Sequence, residues 1–147
     1  MLTAGDHIRN LLGRYCALID AGDFDGVGDQ FGDEGAVADE HGTVLARGAA
    51  AISAFYASTT RRHADGTPRT KHLVVDTVLA ELGPDSIEAR SSYLVLQAAD
   101  GFPLQPIIAG RYVDTFTLRG GAWTWTERRF LVDLLGDLGS HLTFPLG

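Results

Sequence analysis

Four side chains in this sequence are of the types that proton transfer at carbon requires: Tyr15, Asp20, His72 and Arg129. Histidine exchanges a proton near neutral pH, provided that a neighbour fixes which ring nitrogen carries it. A carboxylate turned away from solvent can be that neighbour. A tyrosine hydroxyl can donate to a substrate oxygen, and a guanidinium can stabilise negative charge as it develops. Together the four form a set for removing a proton and holding the charge left behind. Each also has a plainer reading. His72 can be a core histidine bonded to a backbone carbonyl, Tyr15 a helix-face aromatic packed on a sheet, and Arg129 the partner of Glu127 in a strand-end ion pair. The elements that carry them decide between the two.

Tyr15 and Asp20 belong to an amphipathic stretch in which Ile8, Leu11, Leu12, Tyr15, Leu18 and Ile19 recur at helical spacing, predicting a first helix from about Asp6 to Ala21 with Gly22 as its stop. Asp20 opens a run of four acids. Asp23 is placed to cap a short second helix, Asp25 lies in that helix's first turn where the dipole favours a carboxylate, and Asp29 faces solvent. Asp20 alone has no capping role. Positions five apart on a helix differ by roughly 140°, so Tyr15 and Asp20 are expected to converge only if the helix ends or tightens at Asp20.

A short hairpin turning at His41-Gly42 follows, then a third helix from about Ala49 with Ile52, Phe55 and Tyr56 on one side. Beyond the polar loop "RRHADGTP" the period changes to that of strands. The stretches "RTKHLVVDTVLAEL" and "DSIEARSSYLVLQAAD" join at Gly83-Pro84, and "PIIAGRYVDTFTLRGGAWTWTERRFLVD" turns at Gly120-Gly121. Alternation puts His72 with Val74, Asp76, Val78, Ala80 and Leu82 on one apolar face, so it is expected to be at least partly buried. On the last strand it puts Trp123, Trp125, Glu127 and Arg129 together; Arg128 takes the place of Arg129 if a bulge shifts the register. Helices first and a meander of long strands after them predict an α+β domain over residues 1–147, with helices packed on one face of a curved sheet.

With 12 basic against 19 acidic residues the chain carries a net charge of −7, which speaks against a nucleic-acid partner. The single cysteine, Cys16, lies in the first helix and reads as a small buried hydrophobe. The N-terminus has no basic segment followed by an apolar one, and no stretch reaches the roughly 20 apolar residues of a membrane helix, so a cytoplasmic protein without membrane contact is expected. Phosphate loops, nucleophile elbows and clustered metal ligands are missing from the pattern, and no metal or cofactor is expected. His7, His41 and His63 sit in helix-start, turn and loop contexts and are expected in solvent. His141, in a tail with Phe144 and Leu146, reads as a surface residue, with a lid role as the alternative.

The stretches "RYCALIDAGDFDGV", "LARGAAAISAFY", "RTKHLVV" and "GRYVDTFTLRGGAWTWTERR" resemble the SnoaL-like branch of the nuclear transport factor 2-like superfamily, which includes scytalone dehydratase, a bile-acid 7α-dehydratase, hexachlorocyclohexane dehydrochlorinase and steroid Δ-isomerases. The resemblance implies a cone-shaped α+β barrel, its curved, mostly antiparallel sheet wrapped around N-terminal helices, with a deep apolar pocket at one end. It implies that Asp20 orients His72 as general base, and that Tyr15 and Arg129 complete the site. Gln97 stands near the place of a second catalytic histidine in scytalone dehydratase; with Trp125 and Phe55 it is expected to contact the substrate. The activity implied is a cofactor-independent lyase or isomerase acting on a small apolar ring metabolite that is polyketide-, steroid- or aromatic-like. The alternatives are a catalytically silent small-molecule-binding module and a pure interaction domain. A homodimer or homotrimer is expected, because an open sheet face tends to be buried against a copy of itself.

Overall fold

The structure of the chain, a computed structural model, describes residues 1–146. Helix α1 spans Ala4–Ala21, starting two residues before the expected boundary because Thr3 and Asp6 form a reciprocal capping box. Ile8, Leu12, Tyr15 and Ile19 form its buried stripe. Gly22 ends it in the left-handed conformation, at φ 74°, where a Cβ would lie 2.5 Å from the Gly66 carbonyl oxygen. Helix α2, Phe24–Phe31, is capped by Asp23, whose carboxylate accepts from Gly26 N at 2.9 Å. Helix α3 spans Ala49–Thr59.

The strands are β1 (Ala36–Ala38), β2 (Val44–Arg47), β3 (Thr70–Gly83), β4 (Ser86–Ala99), β5 (Phe102–Arg119) and β6 (Ala122–Leu135). They form one curved, open sheet in the order β2-β1-β6-β5-β4-β3, antiparallel except where β1 runs parallel to β6. The helices pack on its inner face, which gives the cone-like α+β architecture.

Two bulges shift which residues face inward. In β3 the pairing with β4 slips between Val75 and Val78, and Asp76 takes a positive φ of 54°. His72 and Val74 point in before the slip and Thr77 and Leu79 after it, so Val78 and Leu82 are 66% and 59% exposed rather than sharing the face of His72. In β6 the pairing with β5 slips between Trp125 and Glu127, leaving Thr126 as the extra residue. Trp125 points in before it; Arg128 and Phe130 point in after it.

Two apolar clusters result. The larger lies between the helices and the sheet; the smaller is built on Tyr93, Val95, Ile107, Tyr112 and Leu138, with Val74 and Phe130 touching both. The chain beyond β6 folds back over this second cluster. Thr60 bridges to Leu142, Arg61 N donates to the His141 carbonyl at 2.7 Å, and Thr143 N donates to the Thr59 carbonyl at 3.0 Å. Among the described residues no helix is long and apolar enough to cross a membrane.

Candidate active site

Asp20 sits in the last turn of α1, two residues before the glycine that stops the helix. Its carboxylate reaches the start of β3 and accepts four hydrogen bonds: from His72 Nδ1 at 2.7 Å, from His72 N at 3.0 and 3.2 Å, and from Thr70 Oγ1 at 2.9 Å. The backbone and hydroxyl bonds hold the carboxylate in place whatever the ring does. The ring bond puts the imidazole proton on Nδ1 and leaves the Nε2 lone pair free to take a proton. Tyr15 and Asp20 do not converge on one point. Tyr15 lines the cavity, while Asp20 grips His72 from behind it, so α1 needs no tightening.

The cavity measures about 610 Å³ and is bounded by Tyr15, Phe55, Tyr56, His72, Tyr93, Val95, Tyr112 and Phe130, with Leu138, His141 and Leu142 of the tail along one side. That is the size and character of a small-molecule site. Asp39, Glu40 and Asp133 stand on its wall, and among the described residues no lysine or arginine does.

Deep in the cavity the Tyr15 and Tyr56 hydroxyls are 2.5 Å apart. Two hydroxyls bring two protons and the bond between them uses one, so one O–H remains for a substrate oxygen. Burial pushes the Tyr15 hydroxyl above its ordinary pKa, opposed by the nearby Arg128 charge. Burial raises Tyr56 further, and both stay protonated donors near neutral pH.

Arg129 is not in this cavity. The bulge at Thr126 turns it outward, where its Nε donates to Glu127 Oε1 at 2.7 Å with the side chain 43% exposed. Arg128 faces inward instead, fully buried, and binds Asp114 through two bonds of 2.8 and 2.9 Å. Its guanidinium lies 3.4 Å from the Tyr112 ring centre and 4.3 Å from that of Tyr15, beneath the cavity floor rather than on it. Burial pushes the Asp114 carboxyl up, and the guanidinium beside it opposes that shift.

Two of the expected substrate contacts are structural. Trp125 is fully buried in the core, stacked on Phe31 at 4.8 Å, and donates to Asp114 at 3.2 Å. Gln97 is enclosed below the tail, where its amide nitrogen donates to the carbonyls of Pro68 and Ser140, each at 2.9 Å. Phe55 does line the cavity. His141 is not a surface residue: it is 8% exposed and lines the cavity, its ring centre 6.1 Å from that of His72. His63 is half-buried, with Nε2 2.9 Å from the Ser140 carbonyl.

Tyr56 and His141 are cavity groups of catalytic type that were not among the expected site residues. Tyr56 carries a helical signal, since it lies four residues after the buried Ile52. His141 carries none, because the tail follows no period.

A model of the SnoaL-like domain matches residues 1–129. No curated protein matches the sequence. Among solved structures, Rv3472 of Mycobacterium tuberculosis, a protein of unknown function, is 27% identical, with 88% of this chain and 71% of that one covered and a TM-score of 0.71. A provisionally assigned scytalone dehydratase from Novosphingobium aromaticivorans is 16% identical over 90% of this chain and 91% of its own, with a TM-score of 0.67. LinA is 17% identical over 95% and 92%, with a TM-score of 0.70. The last two likenesses are of fold.

Proposed function

The chain belongs to the SnoaL-like family, and from that membership and its part-buried Asp20–His72 pair we propose a cofactor-independent lyase or isomerase of the dehydratase type. The observation that carries this reading is the 2.7 Å bond from His72 Nδ1 to Asp20, made by a ring that lines an apolar cavity of about 610 Å³. His72 Nε2 takes a proton from a carbon next to a carbonyl, and Asp20 stabilises the imidazolium that forms. The Tyr15–Tyr56 pair offers its spare O–H to a substrate oxygen. The carboxylates on the wall, with no lysine or arginine facing them among the described residues, speak against an anionic ligand, and the apolar remainder of the lining suits an uncharged ring compound of the polyketide-, steroid- or aromatic-like class. A provisionally assigned scytalone dehydratase among proteins of this fold is consistent with a dehydratase reading.

One observation favours a second reading. With Arg129 outside the cavity, no lysine or arginine among the described residues faces developing negative charge, as suits a binding module that holds an apolar ligand without turning it over. Exchange of the acidic C–H protons of 2-tetralone, a neutral bicyclic ketone, into D2O separates the two. Exchange accelerated by the wild type and lost in His72→Gln is expected; a wild-type rate no faster than that of His72→Gln refutes the base role. We further propose that the chain self-associates through the outer sheet face, where Leu73, Val75 and Val78 are exposed. Sedimentation velocity of wild type and Val78→Lys is expected to show an oligomer that the charge weakens; a monomeric wild type refutes it.

A further inference from the structure

The proton abstraction proposed above leaves the second buried imidazole of the cavity unused. His141 lies on the tail and is positioned by the backbone around it: Gln97 holds the Ser140 carbonyl at 2.9 Å, Arg61 N holds the carbonyl of His141 itself at 2.7 Å, and Arg61 Nε holds the Leu142 carbonyl at 2.9 Å. The imidazole has no such tie. Its Nδ1 is enclosed without a hydrogen-bond partner, so the ring meets the cavity through its other edge. There it stands edge to face with His72, the two ring centres 6.1 Å apart.

We propose that His141 is a second catalytic residue, a neutral imidazole that donates from Nε2 to the carbonyl oxygen on the carbon next to the one deprotonated by His72. The assignment rests on the base role of His72 and deepens it. A buried N–H without an acceptor is rarer and costlier than a bare lone pair, which places the ring proton on Nε2 and the lone pair on the enclosed Nδ1. The groups facing the ring are His72 of β3, Asp20 of α1 behind it, and His63 of the loop before β3. Burial and the two histidines outweigh Asp20 and hold the His141 pKa down to about 4, so the ring is uncharged at neutral pH.

In the reaction the C–H bond breaks, its proton passes to His72 Nε2, and its electron pair moves into the C–C–O unit to form an enolate. His141 keeps its proton and shares it with the enolate oxygen, which supplies the electrostatic stabilisation that Arg129 does not. Where the next carbon bears a hydroxyl, the enolate expels it, and the proton held by His72 leaves with it as water. Two imidazoles this close suit a carbon and an oxygen two bonds apart. The substrate class is therefore an uncharged cyclic ketone, or its phenolic tautomer, rather than a halide or hydrocarbon.

The test uses 2-naphthol, whose oxygen on a flat ring resembles the enolate, against naphthalene, which lacks it. Both are titrated against the full chain as wild type, His141→Phe and His141→Gln, by fluorescence and competition. In the wild type a preference for 2-naphthol of about tenfold is expected, lost in His141→Phe with naphthalene affinity kept, and largely retained in His141→Gln, which keeps a donor. In 15N spectra 2-naphthol is expected to shift the Nε2 signal of His141, with the proton on that nitrogen. The proposal is overturned if the preference survives His141→Phe, if it disappears only in Tyr56→Phe, if the proton is found on Nδ1, or if 2-naphthol does not bind. A wild-type 2-tetralone exchange rate no faster than that of His72→Gln, with the oxygen preference intact, refutes the base role of His72 separately and leaves the contact between His141 and the oxygen standing.

Discussion

Acid should destabilise this fold through His141 before it does so through most of its carboxylates. Burial, with His72 and His63 facing the ring, holds the imidazole's pKa at about 4, whereas in an unfolded chain it titrates at 6.5. As pH falls the unfolded chain takes the proton first, so the stability contributed by the neutral ring is complete above pH 6.5 and is lost progressively down to pH 4. Each pH unit of separation is worth about 1.4 kcal/mol, which puts the full loss at about 3 kcal/mol and the loss at pH 5 at about 2 kcal/mol. For a chain of this length that corresponds to a fall in Tm of roughly 4–8 °C between pH 7.5 and pH 5. Circular dichroism melts at both pH values are compared for wild type and His141→Phe. Carboxylates shared by the two proteins cancel, and only the imidazole's share of the pH dependence remains. The wild type is expected to lose those degrees in excess of the variant, whichever of the two is more stable at pH 7.5. Parallel losses in the two proteins would refute a buried, neutral His141.

Three further outcomes follow from the site and its supports. Asp20→Asn offers His72 an NH2 donor, which moves the ring proton to Nε2 and blocks it as a base; 2-tetralone exchange is expected to fall by roughly 10²–10⁴, and a rate within about twofold of wild type would remove Asp20 from the mechanism. Arg128→Met strands the buried Asp114 carboxylate and is expected to cost about 3–5 kcal/mol in urea unfolding. The double variant Arg128→Met/Asp114→Leu should recover much of that loss, and failure to recover would mean that the pair's geometry matters more than its charge. Gln97→Leu leaves the Pro68 and Ser140 carbonyls without their donor, at a cost of about 1–3 kcal/mol. Hydrogen exchange at the amides of Arg61 and Thr143, which bond across to the tail, should accelerate well beyond that of the β4–β5 ladder.

The Asp20–His72 pair was legible because each residue stood out against its own element. Asp20 was the one acid of its run without a cap or a solvent-facing position, and His72 was the one imidazole within an apolar strand. The long-range fact that Gly22 ends α1 against Gly66, bringing the two together, could not be read from either segment alone. The burial of His141 was not legible at all. It depends on side chains of Gln97 and Arg61 reaching main-chain carbonyls of the tail, and such contacts leave no periodic trace.

Arg129 was misplaced for a different reason. Strict alternation from Trp125 turns Glu127 and Arg129 inward, and the bulge at Thr126 replaces them with Arg128. The choice between these registers is physical rather than accidental. Asp114 lies on β5 between the inward residues Tyr112 and Phe116, and is fully buried there. An unbulged β6 would bring Glu127 toward that carboxylate, placing two like charges in a desolvated core; the bulged strand instead pairs Asp114 directly across from Arg128. The same shift sends Phe130 into the cavity and gives it an aromatic wall. Charge pairing at Arg128 thus sets the wall of the cavity two residues further along the strand. Among the described residues it also leaves that cavity without a facing lysine or arginine, so in the reaction we propose a developing oxyanion would be held by the hydrogen bonds of Tyr15, Tyr56 and His141.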